Sequence, residues 1–103
     1  VTPTNLSGKI LVLGTSQDGG YPHAGCSEQC CEEAWNDHKL KRLVSSLAIL
    51  SENRCWIIDM TPDCSYQLRM LEKKMNRKVE IAGIFITHAH VGHYMGLMDL
   101  GLE

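Results

Sequence analysis

The chain has 103 residues, a formal net charge of −2 and an apolar fraction of 44%. This length allows one small domain at most. The slightly negative net charge does not favour nucleic acid or an anionic membrane as a partner, since these attract basic proteins. No apolar stretch approaches the about 20 residues of a membrane span. A removed signal peptide would leave no trace in these residues, so the compartment stays open.

The N-terminal part is polar at first and then strand-forming. Residues 1–8 are rich in Thr, Asn, Ser and Pro and predict a flexible tail, and residues 9–13 predict a strand. A long segment with four glycines follows over residues 14–25, here called the glycine loop. It lacks the G-X-G-X-X-G spacing of a nucleotide-binding loop, and we expect its backbone to pass close to a functional cleft. Asp18 could face that cleft, although a loop aspartate often bonds its own backbone instead.

Three cysteines crowd into residues 26–31, with His23 just ahead of them. Cys26, Cys31 and either Cys30 or His23 could hold a structural zinc ion, because thiolates bind zinc strongly and tetrahedrally. A disulfide and a set of unmodified thiols are the two competing interpretations. The chain has 5 cysteines, so intramolecular pairing would leave one thiol over.

The middle of the chain predicts a helix, a β-hairpin and a second helix. The short helix is expected over residues 27–35, capped by its first residue, and the hairpin strands over 44–50 and 55–60. Thr61 is expected to cap the second helix, with Pro62 at its first position. That helix shows an apolar stripe at Cys64, Leu68, Leu71 and Met75, which predicts its core face.

The last part of the chain carries the most specific pattern. Residues 81–86 are mostly β-branched or aromatic and predict a buried strand whose last residue is Thr87. His88 and His90 follow, and residues two apart in extended backbone face the same way about 6.7 Å apart, so both imidazoles can reach one ion. His93 then opens an apolar stretch predicted as the start of a helix. The trio predicts a metal site, the alternative being surface or capping histidines.

The order of strand, helix, hairpin, helix and strand predicts an α/β chain of the α+β sandwich type without an internal repeat. A generic α/β or α+β domain would fit the same order. The chain stops soon after its last apolar stretch without a turn or cap signal. We therefore expect residues 1–103 to form a single partial domain, a fragment of a longer protein.

The histidine segment resembles the metal-binding signature of the metallo-β-lactamase superfamily, His-X-His-X-Asp-His followed by a small residue and a helix. Residues 11–22, LVLGTSQDGGYP, with Cys26 shortly after them, narrow the resemblance. They are similar to the pyrroloquinoline-quinone biosynthesis protein B branch, and more loosely to the phosphonate-pathway cyclic phosphodiesterases. The resemblance implies the first half of an αββα metallo-β-lactamase-like fold, with further metal ligands in the second half.

The resemblance also implies roles for single residues. In the family, the histidines that match His88 and His90 hold one zinc, while the aspartate of the signature and the histidine that matches His93 help to hold a second. Gly92 stands at the aspartate position and offers no side-chain ligand, which implies one or two zinc ions with a weak second site. Asp59, at the end of a strand, is implied to orient a metal-binding imidazole, or else is a turn aspartate.

The function implied for the intact protein is that of a zinc-dependent hydrolase acting on an ester-like or phosphodiester-like bond of a small-molecule substrate. The present chain alone is expected to be inactive. The alternatives are a non-hydrolytic metal protein of a cofactor pathway, and a structural domain whose site has decayed at Gly92. Relatives also bind a structural zinc with a C-X-C-X-X-C cluster, in which Glu28 replaces the middle cysteine here.

Ligand counting makes a specific prediction for Gly92. If the second site is weak for want of a carboxylate, Gly92→Asp should raise the affinity for a second ion. The alternative is that the glycine is required for its backbone, because a positive φ would exclude aspartate.

Overall fold

The computed structural model describes residues 8–78 and 80–100. The predicted tail therefore lies outside the described residues, except for Gly8. Within the described residues, the elements are β1 (Ile10–Gly14), α1 (Gln29–Asn36), β2 (Ser46–Ser51), β3 (Arg54–Ile58), α2 (Cys64–Met75) and β4 (Glu80–Phe85). Short 3-10 segments lie at His38–Leu40, Val91–His93 and Met95–Leu100. None of the described helices is long and apolar enough to cross a bilayer.

The four strands form one sheet in the order β1-β2-β3-β4. β2 pairs with β1 and β3 in antiparallel fashion, which confirms the predicted hairpin, and β4 pairs with β3 in parallel. The parallel pair is connected through α2. Because β3 and β4 run in the same direction, their carboxyl ends leave the sheet at the same edge, where ligands bind in many α/β proteins. This edge brings the residues after β3 beside those after β4.

The core lies between α2 and one face of the sheet. Its fully buried strand residues are Leu13, Ala48, Leu50, Cys55 and Ile57. The buried residues of α2 are Cys64, Gln67, Leu71 and Met75, while Leu68 is partly buried. The predicted stripe is thus confirmed at three fully buried positions, and it missed Gln67.

The opposite face of the sheet is also apolar. Residues paired across strands share a face, and this face carries the rows Ile10, Ile49, Trp56, Gly83 and Val12, Leu47, Ile58, Phe85. Ile10 is 65% exposed, Val12 55% and Phe85 58%. Residues 47–50 of β2 are apolar without interruption, a pattern typical of strands that are covered on both faces.

Both predicted helix caps are wrong. The N-cap of α1 is Glu28 rather than Ser27, and it makes no side-chain cap hydrogen bond. The N-cap of α2 is Asp63 rather than Thr61. The Thr61 hydroxyl oxygen accepts a hydrogen bond from the Asp63 amide at 3.0 Å and donates to the side chain of Gln67 at 2.8 Å, so it orders the turn before the helix.

The segment after the histidines also differs from its prediction. His93 ends a 3-10 segment, and the next residues continue as a second 3-10 segment rather than an α-helix. The Gly96 amide donates to the carbonyl of Met60 at 2.9 Å, outside its own segment. A Cβ on Gly96 would lie 2.8 Å from the carbonyl carbon of Thr61. This close backbone contact holds the segment against the loop before α2 and prevents a regular helical start.

Candidate metal centre

The candidate centre lies where the chain leaves β3 and β4. Asp59 follows β3, and its amide donates to the carbonyl of Phe85 at 2.7 Å. Its φ of 67° is left-handed, a conformation that aspartate adopts more readily than most residues. The carboxylate then accepts hydrogen bonds from Thr87, at 2.8 Å from the amide to Oδ1 and 2.8 Å from the hydroxyl to Oδ2. Asp59 therefore joins the ends of the two parallel strands.

His93 is held by its backbone and by its ring. Its carbonyl accepts a hydrogen bond from the Met60 amide at 3.0 Å. Its Nδ1 lies 2.7 Å from Oδ2 of Asp59, and the side chain is 15% exposed. A carboxylate on Nδ1 orients an imidazole and leaves Nε2 available for another partner. Asp59 thus stands where the resemblance implied, while its role toward a metal stays a prediction.

The pKa of Asp59 reflects two opposing influences. Burial acts to raise it, but the hydrogen bonds from the Thr87 amide, from His93 and from the Thr87 hydroxyl outweigh burial and hold the pKa below the ordinary carboxyl value. The group therefore remains a carboxylate near neutral pH. It can accept hydrogen bonds from both neighbours at once.

His88 and His90 complete a cluster of three imidazoles. The ring centroids of His88 and His93 are 3.9 Å apart, and those of His88 and His90 are 4.6 Å apart. The side chains of His88 and His90 are exposed, and Nδ1 of His88 lies 3.0 Å from the Thr87 hydroxyl. The structure thus brings the three predicted metal residues together after a strand.

The three histidine side chains do not point at one common position where an ion could sit. Over residues 8–78 and 80–100, no three His, Cys, Asp or Glu side chains stand as ready ligands of a metal ion. Binding an ion therefore requires side-chain rotation, for which the exposed His88 and His90 have room. The assignment of these residues as metal ligands stays a prediction.

Asp18 of the glycine loop reaches the same cluster. Its Oδ1 lies 3.1 Å from Nε2 of His93, so the two ring nitrogens of this histidine face two different carboxylates. The loop is held in place because the amides of Thr15 and Ser16 donate to the carbonyl of Leu43, at 2.9 and 2.8 Å. The sequence alone indicates only weakly that Asp18 belongs to this site.

Gly92 lies directly beneath the Asp18 carboxylate. It is buried, and a Cβ built on it would lie 2.7 Å from Oδ1 of Asp18 and closer still to Cγ. Its φ is not among the positive values of the chain, so the glycine is required for space rather than for a left-handed backbone. Whether Gly92→Asp strengthens metal binding stays untested, and Asp18 fills the space that the new side chain would need.

The cysteine cluster lies beside the glycine loop. Among the described residues, which include all of the cysteines, none forms a disulfide. The His23 amide contacts Sγ of Cys31 at 3.4 Å, and a hydrogen bond with Cys31 raises the pKa of the Cys26 thiol. Nδ1 of His23 lies 2.9 Å from the carbonyl of Ala24, and Cys30 is exposed. A structural zinc on these residues stays a prediction.

Comparisons with known proteins give a consistent set of relatives. No family model matches the chain. Coenzyme PQQ synthesis protein B of Rhodopseudomonas palustris (strain TIE-1) is 32% identical over 98 residues, an alignment that covers 89% of this chain and 32% of the relative. The protein of that name from Methylobacterium sp. (strain 4-46) is 31% identical over 99 residues, covering 89% and 33%. The chain thus spans about a third of the length of the curated relatives it matches.

Two solved structures share the fold. Zn(2+)-bound PqqB from Methylobacterium extorquens superimposes with a TM-score of 0.77 at 26% identity, over 88% of this chain and 35% of that one. A diphosphatase from the PhnP family superimposes with a TM-score of 0.71 at 31% identity, over 88% and 33%. The predicted α/β class is confirmed, and the likeness covers one portion of each relative.

Proposed function

Because the chain corresponds to the N-terminal portion of the PQQ synthesis protein B-like branch of the metallo-β-lactamase superfamily, we propose that the intact protein is a zinc-dependent hydrolase. The proposed substrate is a small molecule with an ester-like or phosphodiester-like bond. The observation that carries the proposal is the contact of three imidazoles, one of them oriented by Asp59, at the carboxyl edge of a parallel strand pair.

The donor set fits zinc. Imidazole nitrogens are ordinary zinc ligands, and His88, His90 and His93 would hold the ion. Zinc supplies at such a site the activation of water as a nucleophile near neutral pH. Asp59 holds the His93 ring through Nδ1, which leaves Nε2 available for another partner. Its lowered pKa keeps Asp59 ionised near neutral pH, so that it remains a hydrogen-bond acceptor.

Known relatives support the two parts of the proposal, which are zinc binding and hydrolysis. A zinc ion is bound in the PqqB structure, and the PhnP-family neighbour is a diphosphatase. A second candidate function is favoured by the curated relatives, which are named for coenzyme PQQ synthesis. In that case the metal would bind a small molecule of a cofactor pathway without hydrolysing it.

The test is a metal and activity assay on the intact protein. We expect bound zinc and zinc-dependent hydrolysis of bis(4-nitrophenyl) phosphate or 4-nitrophenyl acetate, lost with a chelator and restored with zinc. His90→Ala removes a proposed ligand. Loss of a residue that only hydrogen-bonds a metal ligand lowers activity about 10- to 100-fold, so kcat/KM of His90→Ala should fall by more than that. His38→Ala is the control, because this exposed histidine lies in a separate 3-10 segment.

The possible results separate the candidates. Zinc binding without hydrolysis of either compound would favour the cofactor-pathway alternative. Hydrolysis that survives His90→Ala and the chelator would refute both. A protein that binds no zinc at the histidines would leave only the structural domain with a decayed site.

A further inference from the structure

We infer that Asp18 is the carboxylate ligand of this metal centre, delivered from the glycine loop into the space that Gly92 leaves open. The inference rests on the metal site of the proposed function and adds a residue to it. It is carried by the placement of the Asp18 carboxyl group, which lies close both to the His93 ring and to Gly92.

The first observation concerns the ring nitrogens of His93. Nδ1 is engaged by Asp59 at 2.7 Å, so Nε2 is the nitrogen left for an ion, and Oδ1 of Asp18 lies 3.1 Å from it. Two ligands of a tetrahedral zinc, each about 2.0 Å from the metal, stand about 3.3 Å apart. Asp18 and His93 are thus separated by nearly the distance that two ligands of one ion require.

The second observation concerns space. Gly92 is buried, and any side chain on it would collide with the Asp18 carboxyl group, since a Cβ would lie 2.6 Å from Cβ and 2.7 Å from Oδ1 of Asp18. The space left by the missing side chain at position 92 is therefore occupied by the carboxylate of Asp18, which comes from another part of the chain. One aspartate fits at this point of the site, and it comes from position 18.

The backbone of the glycine loop presets this position. The Gly20 amide donates to the carbonyl of Gln17 at 2.8 Å, which closes a turn with Asp18 inside it, and Gly20 takes a φ of 80°. The Ser45 amide donates to the carbonyl of Ser16 at 3.0 Å and fastens the loop to the segment before β2. An ion at the histidines would meet a carboxylate already in place, and its charge would be partly neutralised there.

A simpler account is that Asp18 only pairs with the His93 ring and takes no part in metal binding. The two accounts differ in what happens to metal affinity. We would measure zinc dissociation constants on the intact protein by competition with a chromophoric chelator, and follow the visible absorption of Co²⁺ as a report on the ligand set. Neither readout depends on hydrolysis.

Four variants make the test. Asp18→Asn keeps the shape of the side chain but removes the charge, and should weaken zinc binding at least as much as the about 10- to 100-fold reported for loss of an outer partner. Gly92→Asp should also weaken it, because two carboxyl groups compete for one space. The double variant Asp18→Gly, Gly92→Asp should bind zinc better than Asp18→Asn and better than Gly92→Asp. Asp37→Asn, an exposed aspartate in a separate turn, is the control and should bind as the parent does.

Each outcome bears on the inference. Recovery in the double variant, together with a changed Co²⁺ spectrum in Asp18→Asn, supports Asp18 as ligand. Unchanged zinc affinity and spectrum in Asp18→Asn would overturn the inference and leave the histidine site standing. A parent protein that binds no zinc would overturn the inference and the proposed function together. Circular dichroism checks that Asp18→Asn, a conservative change at an exposed turn, leaves the fold intact.

Discussion

At the residue scale, Asp59 connects the two loops of the site through both oxygens of its carboxylate. It accepts hydrogen bonds from the Thr87 amide and hydroxyl, and it lies 2.7 Å from Nδ1 of His93. Its own amide donates to the Phe85 carbonyl and so continues the pairing of the parallel strands one residue beyond β3. Asp59 thus fixes the start of the loop that carries the three histidines, and it orients the ring of His93, the most buried of the three.

Replacing Asp59 should therefore affect metal binding and stability together. Asn also tolerates a left-handed backbone, so Asp59→Asn isolates the loss of the charge from backbone strain. We expect zinc affinity to fall about 10- to 100-fold and the free energy of unfolding to fall by about 1–3 kcal/mol, because hydrogen bonds to a charged acceptor are weakened. Zinc competition and urea unfolding measure the two effects. Asp59→Asn with parental zinc affinity would show that the carboxylate does not orient His93 for a metal.

At the element scale, α2 is attached to the sheet by a polar residue in an apolar interface. Gln67 is 2% exposed, and its amide nitrogen donates to the carbonyls of Val44 at 2.7 Å and Leu13 at 3.4 Å. Its oxygen accepts from the Thr61 hydroxyl at 2.8 Å. Through Gln67, helix α2 thereby forms hydrogen bonds with a carbonyl of β1, with a carbonyl of the segment before β2 and with the hydroxyl of the turn that precedes the helix.

Gln67→Leu should destabilise the fold although it adds an apolar side chain to the core. The change leaves the Val44 carbonyl and the Thr61 hydroxyl without their buried partner, and each such loss costs about 1–3 kcal/mol. We expect the free energy of unfolding to fall by about 2–4 kcal/mol, measured by urea unfolding. Lys73→Leu on the exposed side of α2 is the control and should stay within about 0.5 kcal/mol of the parent. A neutral or stabilising Gln67→Leu would mean that packing outweighs the hydrogen bonds.

The elements show which features are visible in the sequence. The strands follow from short apolar runs in the sequence, and the structure places each of them within about two residues of its predicted bounds. The cap at Thr61 failed because its hydroxyl serves Gln67, a partner six residues away that no local pattern indicates. The helix predicted after His93 failed for the same kind of reason, since the Gly96 amide bonds to Met60.

The site divides in the same way. Its three histidines lie within six consecutive residues, so their spacing alone predicts that they meet. Asp18 comes from a loop placed by hydrogen bonds to Leu43 and Ser45, and such long-range contacts leave no signature near position 18. The glycine at position 92 indicates a lost carboxylate, and nothing near it in the sequence points to the replacement that we propose at position 18.

At the scale of the whole molecule, the sheet is apolar on both faces, and α2 covers one of them. The other face exposes Ile10, Val12 and Phe85 by more than half of their surface. A contiguous exposed apolar surface marks an interaction site or a tendency to associate. The uninterrupted apolar run of β2 indicates that this face is built to be covered.

Residues 1–103 produced alone should therefore self-associate with rising concentration. Val12→Thr with Phe85→Thr, two changes in one row of the exposed face, should shift the mass in size-exclusion chromatography with light scattering toward the monomer. Thr is compatible with a strand, so the sheet is retained. Tyr66→Gln is the control, because Tyr66 is 64% exposed on α2 and away from this face. An unchanged mass distribution in the double variant would show that association, if any, uses another surface.

The three histidines are anchored unequally, and this sets an order of events in time. His93 is fixed by its backbone and by Asp59, while His88 and His90 are exposed. If the proposed zinc binds here, it would meet one preset imidazole, and the other two would turn toward it by side-chain rotations that take picoseconds to nanoseconds at exposed positions. Capture would then be limited by diffusion and by loss of the ion's water rather than by protein motion. Release would begin at the two exposed rings, so the residence time of the ion would depend on how long these two stay in place.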